Sequence, residues 1–143
     1  MITHVLDASV AAKWFLPAAG EPLAGAAREL LKRYAEGEVR FLVPDLFWCE
    51  FGSILWKATR QGRILPARAR DAMSSMRDRG IPSIASVELI EEALAIAIRF
   101  QRTVYDSVYA AAAIAHNAAL VTADERLANA LAARLPVKWL GAV

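Results

Sequence analysis

Four acidic residues in or beside apolar segments are the side chains best suited to chemistry: Asp7, Glu50, Asp106 and Asp124. Asp7 directly follows the apolar run 2–6, and Asp124 closely follows the run 118–121. If folding brings the four together, their negative charges repel one another unless a divalent cation neutralises them. Oxygen ligands favour Mg²⁺ or Mn²⁺, and such ions suit phosphodiester cleavage. The sequence therefore suggests a metal-assisted hydrolytic site.

Three of these acids also have an ordinary structural interpretation. Asp7 and Asp124 each directly precede a predicted helix, and either could simply cap it. Asp106 could act with Thr103 in a capping box, because it lies three residues after that threonine. Taken singly, these three positions do not distinguish a capping role from a catalytic one.

Glu50 is harder to explain by local structure. On a helix, its neighbours at three and four positions are Leu46, Phe47, Ser53 and Ile54, and none of them is basic. A carboxylate buried in such a stripe without a partner is costly. We expect either a distant arginine or a shared metal ion to compensate its charge, and we favour the metal ion because of the other acids.

The elements that must position these acids alternate between short apolar strands and helices. Strands are predicted at 2–6, 41–43, 83–86, 118–122 and 137–140. Helices are predicted at 9–16, 21–36, 44–60, 66–79, 87–100, 104–116 and 125–135. This alternation indicates the α/β class, with a parallel sheet covered on both faces. Ligands bind beyond the carboxyl ends of such strands, where Asp7 and Asp124 fall.

The composition indicates one globular domain, 1–143, because 57% of the residues are hydrophobic and 22% are charged. The net charge of +2 neither requires nor excludes a nucleic-acid partner. Cys49 is the only cysteine, so an internal disulfide and a cysteine-rich zinc site are excluded. The two histidines, His4 and His116, are far apart and share no ligand spacing.

The chain is expected to be soluble and cytoplasmic. Asp7 and Lys13 interrupt what would be the apolar region of a signal peptide. The uncharged stretch 107–123 is short for a membrane span, and the pair His116-Asn117 interrupts it as a turn would. A helix followed by a buried strand explains this stretch better.

Four motifs carry the acids, in an order and spacing that cover essentially the whole chain. They are Val5-Leu6-Asp7-Ala8-Ser9 with Lys13-Trp14-Phe15 after it, Pro44-Asp45-Leu46 leading to Glu50, Tyr105-Asp106-Ser107-Val108-Tyr109-Ala110, and Leu120-Val121-Thr122-Ala123-Asp124. In this set the sequence resembles the PIN-domain ribonucleases, in particular the VapC-type toxins of prokaryotic toxin–antitoxin pairs.

The resemblance implies a PIN-like three-layer α/β/α fold with a central parallel sheet of four to five short strands. It implies that the four acids are the catalytic, metal-binding residues for one or two Mg²⁺ or Mn²⁺ ions, with Asp7 and Asp106 as the first choice for direct ligands. Ser9 and Thr122 would support them through hydroxyl hydrogen bonds. One position departs from the pattern: Ser53 stands where related sequences often carry asparagine, which leaves the orientation of Glu50 open.

The same resemblance implies a metal-dependent endoribonuclease, the toxin of a type II toxin–antitoxin system, with products that carry a 5′-phosphate and a 3′-hydroxyl. Water would be the nucleophile, because no Ser–His or Cys–His pair stands out. The implied partners are an RNA substrate, a VapB-type antitoxin and a second copy in a homodimer, without a membrane. The candidates for phosphate contacts are Lys13, Arg60, Arg63, Arg102 and Arg126.

Two alternatives belong to other classes. One is a catalytically inactive PIN-fold module that binds RNA or protein. The other is a Mg²⁺-dependent phosphotransfer protein, but a haloacid-dehalogenase-like phosphatase needs a second Asp where this chain has Ser9. A receiver domain needs an acidic pair near the first strand, where only Asp7 is found.

Overall fold

The computed structural model describes residues 1–143, and its strands alternate with helices along the chain. The strands are β1 (Ile2–Leu6), β2 (Val39–Pro44), β3 (Ser83–Ile84), β4 (Ala119–Thr122) and β5 (Val137–Trp139). The helices are α1 (Ala8–Ala12), α2 (Ala24–Ala35), α3 (Leu46–Arg60), α4 (Pro66–Asp78), α5 (Ile90–Phe100), α6 (Val104–Ala115) and α7 (Glu125–Leu131). Short 3₁₀ turns follow β3 and β5.

The strands form one parallel sheet in the order β3-β2-β1-β4-β5. The chain moves outward from β1 through β2 to β3, and then returns to place β4 on the other side of β1. This arrangement is the predicted three-layer α/β/α fold, with a sheet of five strands. Because the strand order reverses beside β1, the carboxyl ends of β1 and β4 form the edge where such sheets bind ligands.

Several element ends differ from the sequence prediction. Helix α1 ends at Ala12 rather than at 16, because the N–H groups of Trp14 and Phe15 bond to carbonyls only three residues earlier. Pro44 ends β2 opposite Ile84 instead of opening α3. The predicted strand 83–86 has only two residues before a 3₁₀ turn, so the next helix begins at 90 rather than 87. Helices α2 and α7 are likewise shorter than predicted, beginning at 24 and ending at 131 respectively.

The alanine-rich helix α6 packs on the sheet and forms much of the core. Its residues Ala110–Ala113 are buried, and their small side chains let the helix approach β1, β2 and β4 closely. The uncharged stretch 107–123 is therefore α6 followed by β4, as predicted. None of the helices combines the length and the apolar character that crossing a bilayer would require.

Aromatic packing fixes α3 against the segment that follows α1. Phe15 contacts Phe51 edge to face at 5.7 Å, and Phe51 stacks on Phe47 at 5.6 Å. Both phenylalanines of α3 are fully buried. Since Asp7 precedes α1 and Glu50 lies on α3, this packing sets the separation of two of the predicted site residues.

Candidate active site

All four acids predicted from the sequence line a single cleft of about 550 Å³. Asp7 follows β1, Glu50 lies on α3, Asp106 lies in the first turn of α6, and Asp124 follows β4. The cleft lies at the carboxyl ends of β1 and β4, where the strand order reverses. The tertiary fold therefore brings together side chains that are remote in the chain.

Asp7 is held by hydrogen bonds to both of its carboxylate oxygens. Its Oδ1 accepts from the N–H of Ser9 at 3.1 Å, which caps α1, and its Oδ2 accepts from the hydroxyl of Thr122 at 2.8 Å. Its own N–H donates to the carbonyl of Val121 at 3.1 Å and so continues the pairing of β1 with β4. The capping interpretation of Asp7 is correct, and it does not exclude a second role at the cleft.

Thr122 and Ser9 join the ends of the two strands around Asp7. The hydroxyl of Thr122 also accepts from the N–H of Asp124 at 3.1 Å. This one buried hydroxyl therefore contacts the carboxylate of Asp7 and the backbone of Asp124. The hydroxyl of Ser9 accepts from the N–H of Ala123 at 3.2 Å. Ser9 thus reaches Asp7 through its backbone, while its side chain contacts the chain just after β4.

Asp124 caps α7 with one oxygen. Its Oδ1 accepts from the N–H groups of Arg126 at 3.0 Å and Leu127 at 3.2 Å. The other oxygen, Oδ2, makes no hydrogen bond within the protein. It therefore remains available to a ligand in the cleft, at which this exposed side chain lies.

Glu50 is partly buried and has no cationic partner. The salt bridges of the protein involve Glu21 and Glu38, so the distant arginine considered from the sequence is not found at Glu50. Burial raises the pKa of its carboxyl and the carboxylate of Asp106 raises it further, while the nearby hydroxyl of Tyr109 opposes the shift. Ser53, one turn later on α3, is exposed and makes no hydrogen bond to Glu50.

Asp106 occupies the first turn of α6, which Thr103 caps by accepting its N–H at 3.0 Å. Only this half of the expected capping box is present, because no hydrogen bond joins the Asp106 carboxylate to the N–H of Thr103. Burial raises the pKa of Asp106 and the nearby Asp124 raises it further, while the hydroxyl of Thr103 and the charge of Arg102 oppose the shift.

The four acids of the cleft concentrate negative charge that no salt bridge offsets. Burial raises the pKa of Asp7 to about 6, and the carboxylates of Glu50 and Asp106 add to this effect. None of the four acids forms a salt bridge. A group of carboxyls that raise one another's pKa, with oxygen as the only ligand atom, fits a hard divalent cation. As the side chains stand, no three of them are placed to hold one ion, so binding would require the carboxylates to turn toward one another.

Two of the basic residues considered for phosphate contacts are engaged inside the protein. The Nζ of Lys13 donates to Glu21 at 2.8 Å and to the carbonyl of Pro22 at 2.6 Å, and Lys13 is only 8% exposed. Arg63 pairs with the second oxygen of Glu21 at 2.8 Å. Glu21 therefore pairs with both cations, one through each of its carboxylate oxygens.

The remaining three basic residues differ in their surroundings. Arg60 lies over the ring of Trp56 at 4.8 Å. Arg102 is close enough to Asp106 to affect its pKa, and Arg126 is exposed next to Asp124. Arg102 and Arg126 are thus the two candidates close to an acid that no salt bridge engages.

Two tyrosines of α6, one lining the cleft and one buried beneath it, are not among the site residues predicted from the sequence. Tyr105 lines the cleft beside Asp106 and is 64% exposed, an unusual position for a large ring. Tyr109 follows one turn later on α6, and its buried hydroxyl lies near Glu50. Their spacing around Asp106 places them near the site, but only the fold shows that one ring is exposed and the other buried.

The family model of the PIN domain matches residues 4–131 of the chain. No curated protein matches its sequence. Three similar solved structures are PAE2754 from Pyrobaculum aerophilum, a toxin–antitoxin complex from Klebsiella pneumoniae, and VapBC2 from Rickettsia felis bound to a DNA fragment from their promoter.

The first of these structures shares 22% sequence identity over 98% of this chain and 90% of its own, with a TM-score of 0.71. The second shares 18% over 94% and 95% with a TM-score of 0.62, and the third 14% over 96% and 98% with a TM-score of 0.66. At these identities the likeness shows the fold. Together with the match to the family model, it establishes that this chain belongs to the PIN-domain family.

Proposed function

We propose that this protein is a metal-dependent endoribonuclease that hydrolyses RNA phosphodiester bonds, with residues 1–143 as one nuclease domain. The observation that carries the proposal is the convergence of four acids in one cleft without a cationic partner. Carboxylates that are removed from water without a cationic partner are unfavourable, so their presence in the cleft indicates a function that requires their charge. Membership of the PIN-domain family supports the same conclusion.

Asp7, Glu50, Asp106 and Asp124 would hold one or two Mg²⁺ or Mn²⁺ ions, with Asp7 and Asp106 as direct ligands. When bound, the metal would activate water and stabilise the charge that develops on the phosphoryl oxygens. Thr122 and the N–H of Ser9 hold the Asp7 carboxylate in one orientation, so the other acids would turn toward it when a metal ion binds.

The walls of the cleft suit a single nucleotide of a flexible RNA strand. Leu46, Ile54 and Tyr105 give it an apolar side, while the acids form its polar side. An exposed aromatic ring offers a surface on which a base stacks. Arg102, whose charge acts on Asp106, and Arg126, exposed two residues after Asp124, would contact the phosphates of the strand.

We further propose that the protein is the toxin of a type II toxin–antitoxin system and acts in the cytoplasm on RNA. Its fold resembles structures described as toxin–antitoxin and VapBC complexes, which supports a VapB-type antitoxin as its partner. Helix α5 leaves Ile90, Leu94 and Ile98 exposed at successive turns, and this apolar stripe supports a homodimer.

The decisive experiment compares wild type with Asp7→Asn on single-stranded RNA in Mg²⁺, Mn²⁺ or chelator. Cleavage should require metal, should be lost in the variant, and should persist in the control Asp71→Asn, an exposed acid outside the cleft. Circular dichroism checks that each variant is folded. Expression of the active protein should arrest growth unless the antitoxin is supplied.

Equal cleavage by wild type and Asp7→Asn would reject the role assigned to Asp7. RNA binding without metal-stimulated cleavage by wild type would instead support the inactive binding module as the function of this chain.

A further inference from the structure

The hydroxyl of Tyr109 is a buried polar group without a hydrogen-bond partner. Tyr109 lies on α6, one turn after Asp106, and is only 1% exposed. Its hydroxyl oxygen is inaccessible and makes no hydrogen bond as the side chains stand. Because an unpaired hydroxyl in a protein interior is unfavourable, this group calls for a partner.

The carboxylates of Asp7 and Glu50 and the backbone of Ala8 lie near this hydroxyl. Burial raises the pKa of the Tyr109 phenol, and the carboxylates of Asp7 and Glu50 raise it further. The phenol therefore stays protonated and offers one O–H donor. Both oxygens of Asp7 already accept hydrogen bonds from Ser9 and Thr122. Glu50 accepts none of good geometry, and the nearby hydroxyl of Tyr109 is the one side-chain donor that lowers the pKa of its carboxyl. Glu50 is thus the neighbour that lacks a donor.

The helix that carries Glu50 supplies no donor of its own. Ser53 is exposed at the cleft and makes no hydrogen bond to the carboxylate, although it occupies the position from which an asparagine would reach it. Without an orienting hydrogen bond, a glutamate side chain samples several staggered rotamers. Binding a cation would then require Glu50 to be ordered at the same time.

We propose that the hydroxyl of Tyr109 donates to the carboxylate of Glu50 and holds it toward the cleft. Tyr109 is then a positioning residue: it acts on the site through Glu50 and does not touch the substrate. A turn of the Glu50 side chain would bring the two groups together and would satisfy the buried hydroxyl. This inference rests on the proposed metal-binding function of the cleft.

The test is to replace Tyr109 by phenylalanine, which removes the hydroxyl and keeps the ring. We expect the Kd for Mn²⁺, measured by calorimetry without RNA, to weaken about tenfold or more, as for other residues that orient metal ligands. The metal concentration for half-maximal RNA cleavage should rise in parallel. Tyr34→Phe is the matched control, since the Tyr34 hydroxyl contacts the carbonyl of Arg79 away from the cleft.

Two further variants separate positioning from a general effect on packing. In a Glu50→Gln background, Tyr109→Phe should weaken Mn²⁺ binding much less than the single Tyr109→Phe substitution does. The side chain that Tyr109 orients, at position 50, has then already lost its charge. Ser53→Asn should restore Mn²⁺ affinity to Tyr109→Phe, because an amide one turn along α3 supplies the missing donor. A variant impaired only by poor folding would not be rescued at a surface position.

The outcomes distinguish this inference from the proposed function. If wild type does not bind Mn²⁺, the metal-dependent function itself is wrong. If wild type binds Mn²⁺ but Tyr109→Phe binds it equally well, only the positioning role is overturned. A loss of affinity that is undiminished in the Glu50→Gln background would also overturn it.

Discussion

Replacement of Asp7 by asparagine should remove activity and yet make the protein more stable in the absence of metal. The pKa of Asp7 is raised from 3.8 to about 6, mainly because the folded chain buries the carboxyl. A raised pKa means that the folded state binds the proton more tightly than the unfolded state does. The ionised carboxylate therefore opposes folding, and asparagine relieves this opposition because it carries no charge.

The magnitude follows from the pKa shift. About two pKa units correspond to roughly 3 kcal/mol, at about 1.4 kcal/mol per unit. Below pH 3.8 the carboxyl is protonated in both states and this penalty is absent; it grows as pH rises and is complete above about pH 6. Asparagine presents one oxygen to two donors, Ser9 and Thr122, so we subtract about 1 kcal/mol for a lost hydrogen bond. The expected net gain is about 2 kcal/mol at pH 7.5.

Urea unfolding in the presence of a chelator measures this gain. The free energy of unfolding of Asp7→Asn should exceed that of wild type at pH 7.5, and the difference should vanish or reverse at pH 4. Asp71→Asn, which changes an exposed acid outside the cleft, should show no such pH dependence. An Asp7→Asn protein that is less stable than wild type at pH 7.5 would refute the argument from burial. A difference in free energy of unfolding between the two proteins that is the same at both pH values would refute it as well.

With metal bound, wild type should become more stable than Asp7→Asn. Mn²⁺ at about one hundred times its Kd would stabilise wild type by about 2.7 kcal/mol, because it binds only the folded state. Asp7→Asn, having lost a ligand, should gain much less. If Mn²⁺ stabilised both proteins equally, Asp7 would not be a metal ligand.

Three other substitutions test separate parts of the site. Thr122→Val removes the hydroxyl that orients Asp7, and we expect metal affinity and RNA cleavage to fall about tenfold while circular dichroism shows an intact fold. Tyr105→Ala should weaken single-stranded RNA binding in chelator about tenfold by loss of base stacking, whereas Tyr105→Phe and the off-cleft control Trp56→Ala should not. Glu21→Gln should lower the free energy of unfolding by about 3 kcal/mol, because it leaves the buried ammonium of Lys13 without its counter-charge, and an unchanged urea midpoint would contradict this.

The positions of the strands were predictable, whereas the ends of several helices were not. The bounds of β1 agree with the prediction because a buried parallel strand is a continuous apolar run that turn residues delimit. Helix α1 ends at Ala12, four residues before the end that Pro17 would impose, and the tighter turn that follows packs Trp14 and Phe15 against the core. Contacts of this kind come from other elements, so no local signal reports them.

For the charged side chains, too, the sequence indicated the candidates and only the fold showed their partners. Lys13 and Arg63 had the character of phosphate-binding residues, but the fold directs both of them to Glu21. The capping interpretation of Asp7 and Asp124 and the proposed catalytic one looked like alternatives, yet each caps a helix and also lines the cleft. A carboxylate has enough acceptor positions to serve both purposes.

The sequence by itself determined the α/β class, the order of the strands along the chain and the four acids, because apolar periodicity and motif spacing are local properties. Only the tertiary structure decided that these acids meet. Thr122 contacts Asp7 across 115 residues of chain, and that contact exists because β4 returns to pair with β1. Burial of Asp7 and Tyr109 also arises from this pairing and from the packing of α6 on the sheet. The electrostatic character of the site therefore depends on neighbours that no segment of the sequence contains.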